Sequence, residues 1–201
     1  MVDWRGTDTA GAMQLTRQLL AGGARVLQLR MKSANARDIL RVGDAGRRRC
    51  SEAGATFIVN DRLDLALALC ADGVHLGQDD LPVDVARLLC GPEMIIGAST
   101  HNESQATKAV AAGADYLGVG PIFPTKTKDH PDPVVGTGRL QKVCSSVSVP
   151  VVAIGGINLK NVLEVGRTGA KAAALISAVN GAGGTMGVTA AAKLVSAAFG
   201  L

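Results

Sequence analysis

The residues able to do chemistry in this chain stand at the ends of short apolar runs. Val26-Leu27-Gln28-Leu29-Arg30-Met31-Lys32 is the first of these. Side chains alternate along an extended strand, so Gln28, Arg30 and Lys32 share one direction while Leu27 and Leu29 take the other. An arginine fork, a lysine point charge and an amide on one face can grip a phosphate. The same residues would equally serve a strand-end salt bridge to a neighbouring helix. Asn60 and Asp61 close the run Phe57-Ile58-Val59, and Asp79 and Asp80 follow Val74-His75-Leu76-Gly77-Gln78. Carboxylates beside cations suit Mg2+, which takes one or two of them and fills its shell with phosphate oxygens and water. One of Asp79 and Asp80 is expected to cap a helix beginning near Pro82 and the other to hold metal. Asp64 reads as a first-turn helix residue.

Three further segments fit an anionic ligand. Gly155-Gly156 and Ile176-Ser177-Ala178 each follow an apolar run, where backbone N–H groups can surround a phosphate. The stretch 120–136 is long, polar and without periodicity, and its Thr125, Lys126, Thr127 and Lys128 suit a lid over an anion or a solvated loop. His75, His101 and His130 lack H-x-H or H-E-x-x-H spacing, so hydrogen-bonded structural roles are expected rather than a transition-metal site.

These residues need elements to position them, and glycine marks the joints. Gly22-Gly23, Gly54, Gly73, Gly113 and Gly169 each stand between a helical stretch and an apolar run. Glycine there permits the left-handed helix C-cap before the chain turns into a strand. The spacing predicts helices over 9–20, 36–53, 63–69, 83–90, 103–112, 138–147, 159–167 and 189–199. Strands are predicted near 25–30, 55–59, 73–76, 94–98, 115–119, 150–154 and 172–176, with Met1-Val2-Asp3 as the stub of another. Strands alternating with helices indicate a parallel sheet with right-handed crossovers. No G-x-G-x-x-G follows an early strand, which disfavours an open dinucleotide-binding sheet. The expected fold is therefore α/β: a compact (β/α)8 TIM barrel with a shortened or missing first strand, forming one domain over residues 1–201.

Bulk properties narrow the function. The balance of 21 Lys+Arg against 17 Asp+Glu leaves +4, a mild excess that fits a small anion. The densest basic run, Arg47-Arg48-Arg49, falls in a helical stretch and reads as a solvated face. With 2% aromatic residues there is no stacking platform beside it, so nucleic-acid binding is disfavoured. Cys50, Cys70, Cys90 and Cys144 form no C-x-x-C pair and read as buried thiols in a reducing cytosol. No signal-peptide pattern or apolar run of membrane-spanning length occurs, so a cytoplasmic protein without membrane association is expected.

Seven blocks, in order, resemble the thiamine-phosphate synthase family. They are QLRMK (28–32), ND (60–61), HLGQDD (75–80), GASTH (97–101), GPIFPTKTKD (120–129), AIGGI (153–157) and ISAV (176–179). The resemblance implies an enzyme that joins hydroxymethylpyrimidine diphosphate to thiazole ethyl phosphate, giving thiamine monophosphate and pyrophosphate. It implies that Gln28, Leu29, Arg30, Met31, Lys32, Asn60, Ser99 and Lys128 hold the pyrimidine diphosphate. By the same resemblance Asp61 and Asp80 bind Mg2+, and Thr125, Lys126, Thr127, Gly156, Ile176 and Ser177 hold the thiazole phosphate. Arg30, Lys32 and Lys128 would stabilise the departing pyrophosphate as catalytic residues. Partners would be these small molecules alone, with a homodimer admitted as the assembly. Two departures stand out: the family's full first strand is reduced here to Met1-Val2-Asp3-Trp4, and the last strand is alanine-rich. Rival readings are a thiazole tautomerase, a noncatalytic phosphate-binding barrel, and a metal-dependent phosphosugar epimerase built on His75 and His101.

Overall fold

In the computed structural model, residues 2–3, 9–125, 132–176 and 187–200 are described, the first pair by its backbone only. One parallel sheet holds eight strands in sequence order. They are β1 (Val2–Asp3), β2 (Val26–Arg30), β3 (Thr56–Asn60), β4 (Gly73–Leu76), β5 (Ile95–Thr100), β6 (Tyr116–Val119), β7 (Val151–Ile154) and β8 (Ala172–Ala174). Between them run α1 (Thr9–Ala21), α2 (Ala36–Glu52), α3 (Leu63–Ala68), α4 (Val83–Cys90), α5 (Glu103–Ala111), α6 (Gly136–Ser146) and α7 (Val162–Gly166), and α8 (Val188–Ala198) follows β8. This is the TIM-like parallel α/β architecture that the alternation of elements predicts.

Alternation along each strand divides the sheet into two faces. Leu27 and Leu29 line a small apolar cavity with Ala12, Met13 and Thr16 of α1, Val42 and Gly46 of α2, and Phe57 of β3. They therefore face the helices, and Gln28 and Arg30 take the opposite, inner face. Val74, Ile96, Leu117, Val119 and Ala153 are likewise buried in the layer between strands and helices. The helical layer joins end to end through close contacts that only small residues allow. A Cβ on Gly22, after α1, would stand 2.4 Å from that of Ala192 on α8, and Thr189 Oγ1 donates to Gln18 O at 3.1 Å. A Cβ on Gly166 at the end of α7 would meet Ala198 O of α8 at 2.6 Å.

A repeated device locks the strand entrances. Asp72, just before β4, accepts from Phe57 N at 2.7 Å, and Asp115, just before β6, accepts from Ile96 N at 2.7 Å. Arg87 of α4 ties this end together. Its guanidinium donates to Gly91 O (2.9 Å), Met94 O (2.7 Å) and Gly113 O (2.9 Å), and to Asp115 Oδ2 (2.6 Å).

Several expectations shift. β5 runs on to Thr100, because buried Thr100 pairs with Val119 and keeps Ser99 inside the sheet. α7 starts only at Val162, since Asn158 and Asn161 hold the preceding turn through Asn161 Oδ1 on Asn158 N at 2.7 Å. Neither Asp79 nor Asp80 caps α4. Pro82 occupies the N-cap without a side-chain bond, and the Asp80 carboxylate turns back to Gly77 N. The cysteines are free, but only Cys50 is buried, its thiol pushed up to about 12 by burial and then by Asp72; Cys70 is exposed. The basic run lies on α2, where Arg48 pairs with Asp44 at 2.9 Å and Arg49 with Glu52 at 3.1 Å. Among the described residues no helix is long and apolar enough to cross a membrane.

Arg87→Ala strips hydrogen bonds from several carbonyls and from Asp115 at once. It is expected to cost about 2–3 kcal/mol, lowering Tm by about 4–12 °C. Arg87→Lys recovers less than half of this, because one ammonium cannot span the fork's targets. Thermal unfolding of the two variants checks both expectations.

Candidate active site

The inner face and the C-terminal ends of β2 to β6 bring together residues that are far apart in sequence. At the end of β3, Asp61 adopts a left-handed backbone (φ 64°), a conformation that Asp tolerates better than most residues. Its N–H donates to His75 O at 2.8 Å, and its carboxylate meets Lys32 Nζ at 3.2 Å. Asp80 lies within hydrogen-bonding reach of Asp61 and accepts from Gly77 N at 2.6 Å. A Cβ on Gly77 would stand 2.9 Å from Asp80 Oδ2, so glycine there lets the carboxylate fold back. Burial raises the Asp80 carboxyl above the usual carboxylate range. The Gly77 N–H lowers it, the neighbouring Asp61 raises it, and Lys32 lowers it. Two oxygen donors pressed together beside one cation form a donor set that fits a hard divalent ion. Asp79, by contrast, is exposed and outside this contact.

Beneath that cluster a polar chain crosses the inner face. Gln28 hydrogen-bonds Tyr116, whose hydroxyl stands 2.9 Å from His75 Nδ1, and His75 Nε2 stands 3.0 Å from Ser99 Oγ. Strand register dictates the meeting, since His75 pairs with Gly97, Gly97 with Tyr116, and Asn60 with His75. The Gln28 Oε1 atom is buried without a protein partner. Burial pushes the Tyr116 phenol well above its ordinary value, against a smaller downward pull from Gln28. With both ring nitrogens of His75 facing hydroxyls, that imidazole is occupied, as expected of a structural histidine. His101 is likewise engaged, by Gly120 O and, at 3.8 Å, by Asp132.

The loop after β6 is docked on the turn after β7. Ile122 N donates to Ile154 O at 2.9 Å and Phe123 N to Gly155 O at 3.0 Å, and Val135 N closes the loop on Pro121 O at 2.7 Å. Gly155 (φ 91°) and Gly156 (φ 68°) take left-handed backbones. A Cβ on Gly156 would stand 2.6 Å from Phe123 O, so the glycine pair seats the loop as well as lying at a strand end. Thr125, Gly156 and Ile176 are partly exposed; Lys126, Thr127, Lys128, His130 and Ser177 lie outside the described residues. Arg30 is partly buried at the end of β2, Leu29 and Met31 are buried, and Asn60 and Ser99 are partly buried at their strand ends.

Sequence reasoning missed Tyr116 and the partners of His75. A signal was present: the chain's single tyrosine stands two residues before Gly118, and Gly97 stands two before Ser99. Alternate glycines on adjacent inward faces imply a large side chain that needs the space.

Known proteins match this chain over most of its length. The thiamine monophosphate synthase family matches residues 4–179. A thiamine-phosphate synthase of Chlorobium phaeovibrioides is 55% identical over 164 residues, which is 82% of this chain and 78% of that protein. The solved thiamine phosphate pyrophosphorylase of Pyrococcus furiosus superposes with a TM-score of 0.85 at 42% identity, covering 92% of this chain and 88% of that one. A 3-hexulose-6-phosphate synthase structure, 18% identical, covers 98% of this chain and 96% of its own with a TM-score of 0.70, a likeness of fold alone. The chain belongs to the thiamine monophosphate synthase family.

A carboxyl held above its unfolded pKa keeps its proton longer in the folded protein. Stability of the metal-free protein therefore falls as pH rises from the ordinary carboxylate range through the raised Asp80 value. Asp80→Asn is expected to remove that slope and to raise Tm at neutral pH by about 1–2 °C, a small gain because the site is partly solvated. Thermal unfolding in a chelator across pH 3–8 measures both effects; an unchanged slope in the variant refutes the coupling.

Proposed function

We propose that this chain is a thiamine-phosphate synthase, a transferase moving the pyrimidinylmethyl group from its diphosphate to the nitrogen of thiazole ethyl phosphate. The observation that carries the reading is the cluster of Lys32, Asp61 and Asp80 at one rim, formed from the ends of three neighbouring strands. The bond between the pyrimidine methylene and the diphosphate oxygen breaks, and its electron pair leaves with pyrophosphate. The thiazole nitrogen then supplies the pair that forms the new carbon–nitrogen bond, so the step needs no general base. Arg30, Lys32 and Lys128 would stabilise the negative charge that develops on the leaving group, the kind of electrostatic assistance from which most of the rate arises. Mg2+ held by Asp61 and Asp80 would add positive charge against the diphosphate oxygens. Gln28, Leu29, Met31, Asn60 and Ser99 complete the pyrimidine-diphosphate site, where the unpartnered Gln28 Oε1 offers an acceptor to a donor on the ligand. Thr125, Lys126, Thr127, Gly156, Ile176 and Ser177 make the thiazole-phosphate site.

The sheet closes as a compact (β/α)8 barrel with a shortened first strand, a reading that the contact of α8 with α1 supports. One domain over residues 1–201 acts on two small molecules in the cytoplasm, alone or as a homodimer. A tautomerase would need neither the diphosphate grip nor the paired carboxylates, and an epimerase would need imidazoles that His75 and His101 have already committed.

Mixing both substrates with Mg2+ should release pyrophosphate and thiamine monophosphate in equal amounts, and chelation should stop both. Asp61→Ala and Lys128→Ala should each lower kcat by about 10²–10³. Isomerised thiazole phosphate without pyrophosphate, or near-normal turnover in either variant, would overturn the reading.

A further inference from the structure

His75 sits at the centre of a built polar chain, and the chain has a direction. It is 8% exposed, and Gln28, across the inner face, is 9% exposed. Room for the pair of rings comes from two glycines. A Cβ on Gly97 would fall 2.1 Å from Tyr116 Cζ, and one on Gly118 would fall 3.0 Å from His75 Cε1. The rings are tilted by 37° with centroids 5.4 Å apart, so hydroxyl-to-nitrogen contact rather than stacking defines the pair.

For a neutral imidazole each hydrogen bond admits one proton, which leaves two consistent arrangements. In one, Tyr116 donates to Nδ1, the proton of the imidazole sits on Nε2, and Nε2–H donates to Ser99 Oγ. In the other every proton points the opposite way, and Ser99 donates inward to a bare Nε2. A phenol is a stronger acid than a neutral imidazole N–H, and the imidazole lone pair is a better acceptor than a phenol oxygen. The first arrangement therefore matches the better donor with the better acceptor. Gln28 agrees with it: the amide Nε2 turns to the Tyr116 oxygen, while Oε1 is left without a partner. Ser99, partly exposed at its strand end, then has its own O–H free to donate away from His75.

We propose that His75, fixed by Tyr116 with its proton on Nε2, is a positioning residue that turns the Ser99 hydroxyl outward as a hydrogen-bond donor to the bound diphosphate. The proposal rests on the synthase reading for the identity of the anion. The tautomer itself does not depend on that reading. A hydroxyl aimed in advance loses no orientational freedom when negative charge develops, which is how a group beyond the ligand's contact shell affects rate.

Long-range 1H–15N spectra of the 15N-histidine-labelled wild-type protein at pH 7.5 test the tautomer. The His75 signals are those retained in both His101→Gln and His130→Gln. A protonated Nε2 with a bare Nδ1 is expected; the Nδ1–H pattern would overturn the proposal, whatever the protein catalyses. The kinetic arm uses both substrates with Mg2+. His75→Phe should lower kcat about 10–100-fold, with KM for thiazole phosphate unmoved. His75→Gln, whose amide N–H can replace Nε2–H, should recover at least a third of the lost activity. Adding Ser99→Ala to His75→Phe should cost nothing beyond Ser99→Ala alone. Multiplying losses in the double variant, or absent rescue by glutamine in a folded protein, would show that His75 does not act through Ser99.

Discussion

Everything in this molecule follows from the two-residue alternation of parallel strands locked in register. A parallel ladder sends all strand C-termini to one end, and alternation sends every second side chain to the inner face. Leucine, valine and isoleucine at the other positions bury the sheet against the helices. The inner face is then free to carry groups that a hydrophobic core would reject. Asp61, Asp80 and Lys32 meet because β3, β4 and β2 end side by side. Gln28, His75, Ser99 and Tyr116 meet because their strands hold them on the inner face.

The two polar groups serve opposite electrostatic ends. At the rim, two carboxylates share a site beside a lysine, a donor set whose chemistry fits a hard cation. Below the rim, an amide, a phenol, an imidazole and a hydroxyl hydrogen-bond one another and leave one buried acceptor, Gln28 Oε1, without a protein partner. Unpaired charge there would be far more costly than the dipoles of an amide, a phenol, an imidazole and a hydroxyl. Glycine is the device common to both levels. Gly77 admits the returning Asp80 carboxylate, Gly97 and Gly118 admit the rings, and Gly156 admits the Phe123 backbone.

Much of the fold was legible because hydrophobic period and glycine punctuation are local signals. Strand and helix positions from 25 to 119 were within a few residues of their observed limits, and α4 matched end to end. Misreadings came where a local rule met a tertiary contact. Asp79 and Asp80 satisfied the composition of a helix cap, yet Pro82 took that place and Asp80 was drawn to Gly77 and Asp61. Cys70 follows an apolar helix but ends on the surface, because the chain turns there in a left-handed conformation (φ 49°). β5 outran its expected end because Thr100 gained a neighbour on β6.

By itself the sequence determined the order of elements, the parallel sheet and the inventory of charged and hydroxyl groups at strand ends. Those depend on propensity and spacing, which act over a few residues. Which of two adjacent aspartates turns to the rim, and which hydroxyls close on His75, were decided only by the assembled sheet. Such choices depend on register between strands and on the space left by a neighbour's missing side chain, and neither is written within any one segment.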